Sequence, residues 1–222
     1  MFKASASKRL IELLSQGRLR SVAKGEVVTA SDDNKSIHLI CEGYIKRYQI
    51  TNSGCISVQS IYGPNDIFPL TRVFKILFDK TLYLGPETQY YEAMCKTSFY
   101  ELDSTVLLEA IKHDPLLHKD LLNVAGERLR SNIQQLENMS LSVYYKRVAH
   151  QLWFYANKFS DKKGNTAKLK VPLTQQDLAD VLSTTRETVS LCMSDLKKRG
   201  LIKSGKYIVI NDMRGLQKEA YS

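Results

Sequence analysis

Residues 173–210 read LTQQDLADVLSTTRETVSLCMSDLKKRGLIKSGKYIVI, and this stretch decides the fold. Its first ten residues carry a helix-start signal. Thr174 is placed to cap free backbone N–H groups, Asp177 falls in the first turn, and Leu173 is spaced to staple onto Leu178. Leu178, Val181 and Leu182 then share one face of a short helix over 173–182. Ser183 to Arg186 are predicted to turn into a second helix, from Arg186 to Arg199. Two short helices joined this tightly make a helix-turn-helix pattern.

At about 100° per residue, Val189, Cys192, Met193 and Leu196 lie on one arc of the second helix. Arg186, Glu187, Ser190, Leu191, Ser194 and Lys197 lie on the other. That second arc holds what a DNA major groove asks for: a guanidinium for guanine O6 and N7, a carboxylate for the cytosine amino group, and hydroxyls for base or phosphate. Arg186 and Glu187 fall at the N-terminal end, where a recognition helix meets base edges. Gly200 closes the helix, and LIK-SG-KYIVI is predicted to form two short strands about a Ser204-Gly205 turn. Such a hairpin is a wing, with Lys203 and Lys206 near its tip for phosphate contact.

Charge points the same way. The 222-residue chain carries a net +9, and residues 140–222 hold 15 Lys/Arg against 7 Asp/Glu, so the basic surface belongs to the C-terminal third. A polyanion suits such a surface, because each cation placed on a phosphate releases condensed counterions.

Further upstream the character changes. From Lys24 to Asp103 the segments EVVTA, SIHLICEG, YIKRYQI, CISVQSIYG and SFYELD are short and rich in β-branched and aromatic residues. Asp32-Asp33-Asn34, Asn52-Ser53-Gly54, Gly63-Pro64-Asn65-Asp66 and Gly85-Pro86 punctuate them, as expected of a small barrel or roll. A short amphipathic helix is expected over 5–14. After Pro115 the period becomes helical, with Leu122, Leu129 and Leu136 seven apart and Ala125, Ile133 and Met139 between them. This a/d-like seam predicts a helix that pairs with its twin through Leu122, Ala125, Leu129, Ile133 and Leu136. A further helix is predicted from Val143 to Phe159, and SDKKGNTAK (160–168) is expected to be a loop.

With these residues in place, the chain resembles the CRP/FNR family of bacterial regulators. LTQQDLADVLSTTRETVSLCMSDLKKRGLI is very close to the family's L-T-x-x-D/E-L/I-A-x-x-L-G-x-T/S-R-E-T-V-S-R. Agreement is weaker over KGEVV, IHLICEGYIKRY, IYGPNDIF and the long helix. The resemblance implies an α+β fold in three parts: a β-roll like cyclic-nucleotide-binding jelly rolls (1–113), a dimerisation helix (114–139) and a winged helix-turn-helix (140–222). It implies that Thr185 caps the recognition helix and that Arg186, Glu187 and Ser190 read bases. Thr174, Gln175, Leu191, Ser194, Lys197, Lys203 and Lys206 complete the expected DNA-binding set. Two departures fall inside the motif: Leu191 stands where a second arginine is common, so that a base or phosphate contact is either missing or replaced by apolar contact with a thymine methyl, and Ser183 stands where glycine is usual.

The expected partners are a palindromic operator in double-stranded DNA, a second copy of the chain and RNA polymerase, with activation as the expected sign. The effector is left open. Neither signature of cyclic nucleotide binding is present, since the corresponding stretches read FPLTRV and TQYYEAMCK, and Gln89-Tyr90-Tyr91-Glu92 offers no arginine for a cyclic phosphate. Arg72 and Lys96 are the nearest substitutes, while Phe68, Phe74, Tyr90 and Tyr91 suggest an apolar or filled interior. No cofactor or metal is expected: Cys41, Cys55, Cys95 and Cys192 are scattered and are expected to be buried thiols, and His38, His113, His118 and His150 form no ligand pattern. No nucleophile elbow, P-loop or dinucleotide-binding glycine motif points to an enzyme. The rival is a small-molecule sensor whose C-terminal module binds protein. No run approaches the roughly 20 apolar residues of a membrane span, and a cytoplasmic location is expected.

Overall fold

The computed structural model describes residues 6–28, 35–71 and 89–221. Asp32-Asp33-Asn34, Arg72, Phe74 and Gly85-Pro86 lie outside them. Contacts divide the chain into two units, one centred on residues 4–129 and one on residues 130–222.

In the first unit Ser7 caps α1 (Lys8–Leu14), its hydroxyl accepting from the Leu10 N–H at 3.2 Å. Seven strands follow: β1 (Arg18–Val22), β2 (Ser36–Glu42), β3 (Ile45–Ile50), β4 (Ile56–Tyr62), β5 (Ile67–Phe68), β6 (Tyr90–Ala93) and β7 (Thr97–Asp103). They form a four-stranded sheet in the order β1-β7-β2-β5 and a three-stranded one in the order β4-β3-β6. Period-two alternation sorts their side chains. Ile40, Ile45, Tyr62, Phe68, Tyr91 and Phe99, drawn from both sheets, make one interior core. Ile37 and Leu39 point the other way, into a second core with Leu10, Leu14, Leu107 and Leu117. Gly43 joins β2 to β3 with φ of +88°, and a Cβ there would run into the Lys96 carbonyl and the Thr97 hydroxyl. No residue but glycine fits.

Asp103 caps α2 (Ser104–His113), accepting from the Thr105 N–H at 2.8 Å. Pro115 lacks the N–H needed to continue that helix but suits the first turn of a new one, and α3 runs from Pro115 to Ser140.

The second unit contains α4 (Tyr144–Phe159), β8 (Ser160–Lys163), β9 (Thr166–Leu169), α5 (Gln175–Leu182), α6 (Arg186–Lys198), β10 (Ile202–Ser204), β11 (Ile208–Ile210) and α7 (Met213–Tyr221). The four strands form one antiparallel sheet in the order β10-β11-β9-β8. The expected loop over 160–168 is therefore wrong: a hairpin forms because Ala167 and Leu169 are buried while Thr166 and Lys168 face out. The architecture is the α+β arrangement expected, a β domain, a long helix and a helix-turn-helix with a wing.

The thiols differ from expectation. Cys192 alone is buried, Cys41 and Cys95 are half-buried and Cys55 is exposed; none of the four is in a disulfide. Among the described residues no His, Cys, Asp or Glu cluster is arranged to hold a metal ion, and no helix is long and apolar enough to cross a membrane.

Candidate nucleic-acid interface

Local chemistry sets up the two helices. The Thr174 hydroxyl accepts from the Asp177 N–H at 3.0 Å, and the Asp177 carboxylate accepts in return from the Thr174 N–H at 2.9 Å. This reciprocal capping box satisfies two of the backbone donors that a helix start leaves open. Helix α5 then stops at Ser183, which adopts the left-handed conformation (φ 50°, ψ 52°), and the Thr184 N–H returns to the Ala179 carbonyl at 3.0 Å. The expected cost of a serine in a glycine position is thus present in the backbone. Two residues later Thr185 caps α6, its hydroxyl accepting from the Thr188 N–H at 3.2 Å.

Helix α6 has thirteen residues and a length of about 20 Å. Val189, Cys192, Met193 and Leu196 are buried, which fixes the roll of the helix. Arg186, Glu187, Leu191 and Lys197 are exposed, with Ser190 and Ser194 half-exposed beside them. Leu191 is 71% exposed, more than any other large apolar side chain among the described residues. Neighbouring cations separate into two kinds. Lys198 reaches Asp195 at 3.7 Å and Arg199 pairs with Glu219 at 3.0 Å. Arg186, Lys197, Lys203 and Lys206 have no carboxylate partner among the described residues, so their charge is open to solvent.

The wing departs slightly from expectation. Ser204 pairs with Ile208, so the turn is the three residues Gly205-Lys206-Tyr207 rather than Ser204-Gly205. Lys206 lies in this turn with its ammonium 5.8 Å from the centre of the Tyr207 ring, and Lys203 projects from β10 opposite Val209. Thr174 is exposed and Gln175 half-exposed at the start of α5. Sequence reasoning missed the basic β8–β9 hairpin, whose Lys162, Lys163, Lys168 and Lys170 all stand exposed. Their lysine-rich polarity hid the two-residue alternation that was the signal.

A family model for the Crp-like helix-turn-helix domain matches residues 146–219. Over 199 residues the chain is 27% identical to the "CRP-like cAMP-activated global transcriptional regulator" of Mycobacterium tuberculosis, covering 89% of this chain and 85% of that one. It is 25% identical over 201 residues to the "Anaerobic regulatory protein" of Haemophilus influenzae, covering 90% and 75%. The chain is thus similar to regulators of the CRP/FNR type over most of its length, and its residues 146–219 match the Crp-like helix-turn-helix domain. The solved structure of FixK2 from Bradyrhizobium japonicum has the same fold, with a TM-score of 0.76 and 20% identity over 93% of this chain and 98% of that one.

Outside the CRP/FNR-type helix-turn-helix, α3 carries the predicted seam. Leu122, Leu129, Ile133, Leu136 and Met139 are all exposed, while Ala125 is half-buried against the core of the β unit. At the other end of α3, the Arg147 side chain donates from Nε to the Leu141 carbonyl at 2.6 Å and from Nη2 to the Met139 carbonyl at 2.8 Å. Asn138, fully buried, donates to the Gln151 side chain at 2.9 Å. The β unit also holds an arginine that the sequence reading did not single out. Arg47 lies on β3 directly across from Tyr91, on the inward face.

Proposed function

We propose that this CRP/FNR-type regulator acts as a homodimer on a palindromic operator, placing α6 of each copy in successive major grooves. The carrying observation is the division of α6: one arc is locked into the core, and the other presents Arg186, Glu187 and Leu191 to solvent from a capped N-terminal turn. Arg186 is placed for guanine, Glu187 for the cytosine amino group and Leu191 for a thymine methyl. Lys197, Lys203 and Lys206 position the module on phosphates, with Thr174 and Gln175 at the start of α5 beside them. The family members named above are transcription regulators, which supports this over a sensor whose C-terminal module binds protein, and over an enzyme.

Dimerisation is assigned to α3. Five large apolar side chains along one stripe stand open in a single chain, and an apolar stripe of heptad spacing is covered most simply by its own two-fold copy. We read the chain as an activator that recruits RNA polymerase in the cytoplasm and that does not use cyclic AMP, since Gln89, Tyr90 and Glu92 supply no arginine for a cyclic phosphate. Selection of binding sites from random duplexes is the direct test. The expected product is a two-fold symmetric site with half-sites about 34–36 Å apart; no enrichment would sink the reading. Leu129→Glu is expected to yield monomers by sedimentation and to lose the preference for paired half-sites, and a variant that still sediments as a dimer removes α3 from the interface.

A further inference from the structure

The lysines of the β8–β9 hairpin share a face with those of the wing. Lys203 lies opposite Val209, Val209 opposite Lys168 and Lys168 opposite Asp161, so one row crosses all four strands of the sheet in the second unit. Residues paired in this way project to one side of a sheet. Ile202, Ile210, Ala167 and Leu169 alternate with the row and are buried, which makes the row's side the outer one. Lys163, opposite Thr166, joins it two residues along β8 from Asp161. Tyr207 lies among these cations, with the Lys168 ammonium 4.8 Å and the Lys206 ammonium 5.8 Å from its ring centre.

The hairpin is held firmly. Its turn residue Asn165 accepts from the Met213 N–H through its carbonyl at 2.8 Å and from the Arg214 N–H through Oδ1 at 3.1 Å, and its Nδ2 donates to the Asp212 carboxylate at 2.7 Å. These bonds fasten the turn to the start of α7. Asp161, the one carboxylate in the row, is taken up by Lys170 at 2.7 Å, and Lys162, on the inner side beside Ala167, donates to the Asn157 side chain at 2.7 Å. Lys163, Lys168, Lys203 and Lys206 have no carboxylate partner among the described residues. Like charges fixed on one face repel, and an anion laid across them relieves the repulsion. Neighbouring strands lie about 4.7–4.9 Å apart, so Lys203 and Lys168, two strands apart, are spread over roughly 10 Å. A small anion meets one such charge, whereas a duplex, with one negative charge per about 1.7 Å of axis, meets them all.

We propose that the outer face of this sheet extends the DNA contact beyond the wing, with Lys163 and Lys168 of the β8–β9 hairpin holding phosphates of the duplex that flanks the operator. The hairpin lies at the opposite edge of the sheet from β10, so its lysines add to the footprint instead of repeating the wing's contact. Lysine ammonium groups are point charges without a base-reading fork, and the face therefore adds affinity without sequence preference. The proposal rests on the reading of this unit as DNA-binding but not on base reading by α6, and a random duplex separates the two.

The test measures the affinity of the full chain against salt on three duplexes: the selected operator trimmed to its ends, the same operator extended by one helical turn on each side, and a random duplex of the extended length. The extended operator is expected to bind more tightly than the trimmed one and with a steeper salt slope. Replacing Lys163 and Lys168 together by alanine is expected to lower the slope of log affinity against log salt by about two per bound copy on the extended and random duplexes. It is also expected to remove the advantage of the extension, with the trimmed operator and the thermal midpoint unchanged. Lys163→Arg with Lys168→Arg, which keeps both charges, is expected to bind as the parent does. An unchanged slope on the random duplex overturns the proposal, whether or not an operator has been found. So does an equal loss on the trimmed and extended operators, which would place these lysines at the operator itself. Unchanged binding to every duplex with loss of transcription by purified RNA polymerase also overturns it, and would give the face to an acidic protein surface.

Discussion

Arg186 and Arg47 hold the same guanidinium in opposite surroundings. Arg186 stands in water on the first turn of α6, with a carboxylate neighbour in sequence and no carboxylate partner in space among the described residues. Arg47 has its Nε sealed among tyrosines in the β unit. The difference sets what each can recognise. An exposed cation attracts a polyanion over roughly a Debye length, about 8–10 Å, and loses grip as salt rises. A buried one is screened far less and discriminates by shape, because any partner must first shed its water.

The comparison breaks most readily at Arg186. Arg186→Ala is expected to cost about 1–3 kcal/mol on the selected operator and to flatten discrimination at one base pair, measured by gel-shift titration against single-base variants. The thermal midpoint should stay put, since the side chain touches no core residue. A variant that binds every sequence as before would show that the exposed arc is not the reading surface.

Backbone preparation comes next. Ser183 holds a left-handed conformation that costs an L-residue about 1 kcal/mol. Ser183→Gly is expected to stabilise the protein by about that amount in urea unfolding, with operator affinity unaltered. A loss of stability would mean that the serine side chain contributes more than its strain.

A buried base in the C-terminal unit sharpens the contrast, because it can shed its proton where Arg47 cannot. His150 is buried, bonded through Nε2 to the Tyr221 hydroxyl at 3.1 Å, and burial holds its imidazole below the ordinary value despite Glu137 nearby. The unfolded chain then binds the proton that the folded one refuses, so stability is complete above the ordinary imidazole range and declines as pH falls through it. Between about pH 7 and pH 5 the thermal midpoint should drop, and His150→Gln should flatten that slope. A slope unchanged in the variant would assign it to other groups.

The smallest expected effect belongs to Lys206. Lys206→Ala should weaken all DNA sequences alike and reduce the slope of log affinity against log salt by about one. Sequence-selective loss would instead place the wing tip at a base edge.

Legibility in the sequence followed the range of the interactions. The capping box of Thr174 and Asp177, the Thr185 cap and the arcs of α6 involve residues three or four apart, and periodicity exposes them. Where a few polar residues interrupt the pattern, the signal fails over the same short distance: lysines disguised β8 and β9, and the wing turn gained a residue. α2 and α7 went unread although each has a stripe, Leu107 and Ile111 in one and Leu216 and Ala220 in the other being buried four residues apart. The β unit was legible as strands and turns only. Arg47 in YIKRYQI carries no sign that it faces inward, and its neighbour Tyr48, stacked on Tyr90 at 5.2 Å, is buried on the other face. Only the pairing of β3 with β6, residues over forty positions apart, reveals which side is inward.

The length of α3 has a mechanical meaning. The contact boundary between the two units falls at Leu129 and Arg130, inside this helix and not in a loop. The helix runs unbroken through that boundary, and interrupting it there costs backbone hydrogen bonds at about 0.5–1.5 kcal/mol each. Arg147 and Asn138 clamp its far end, so slack cannot gather there. Its most compliant point is Gly126, with open space where a Cβ would stand and about 1 kcal/mol less helix preference than alanine. Arg128 sits two residues beyond that weak point, on the same helix.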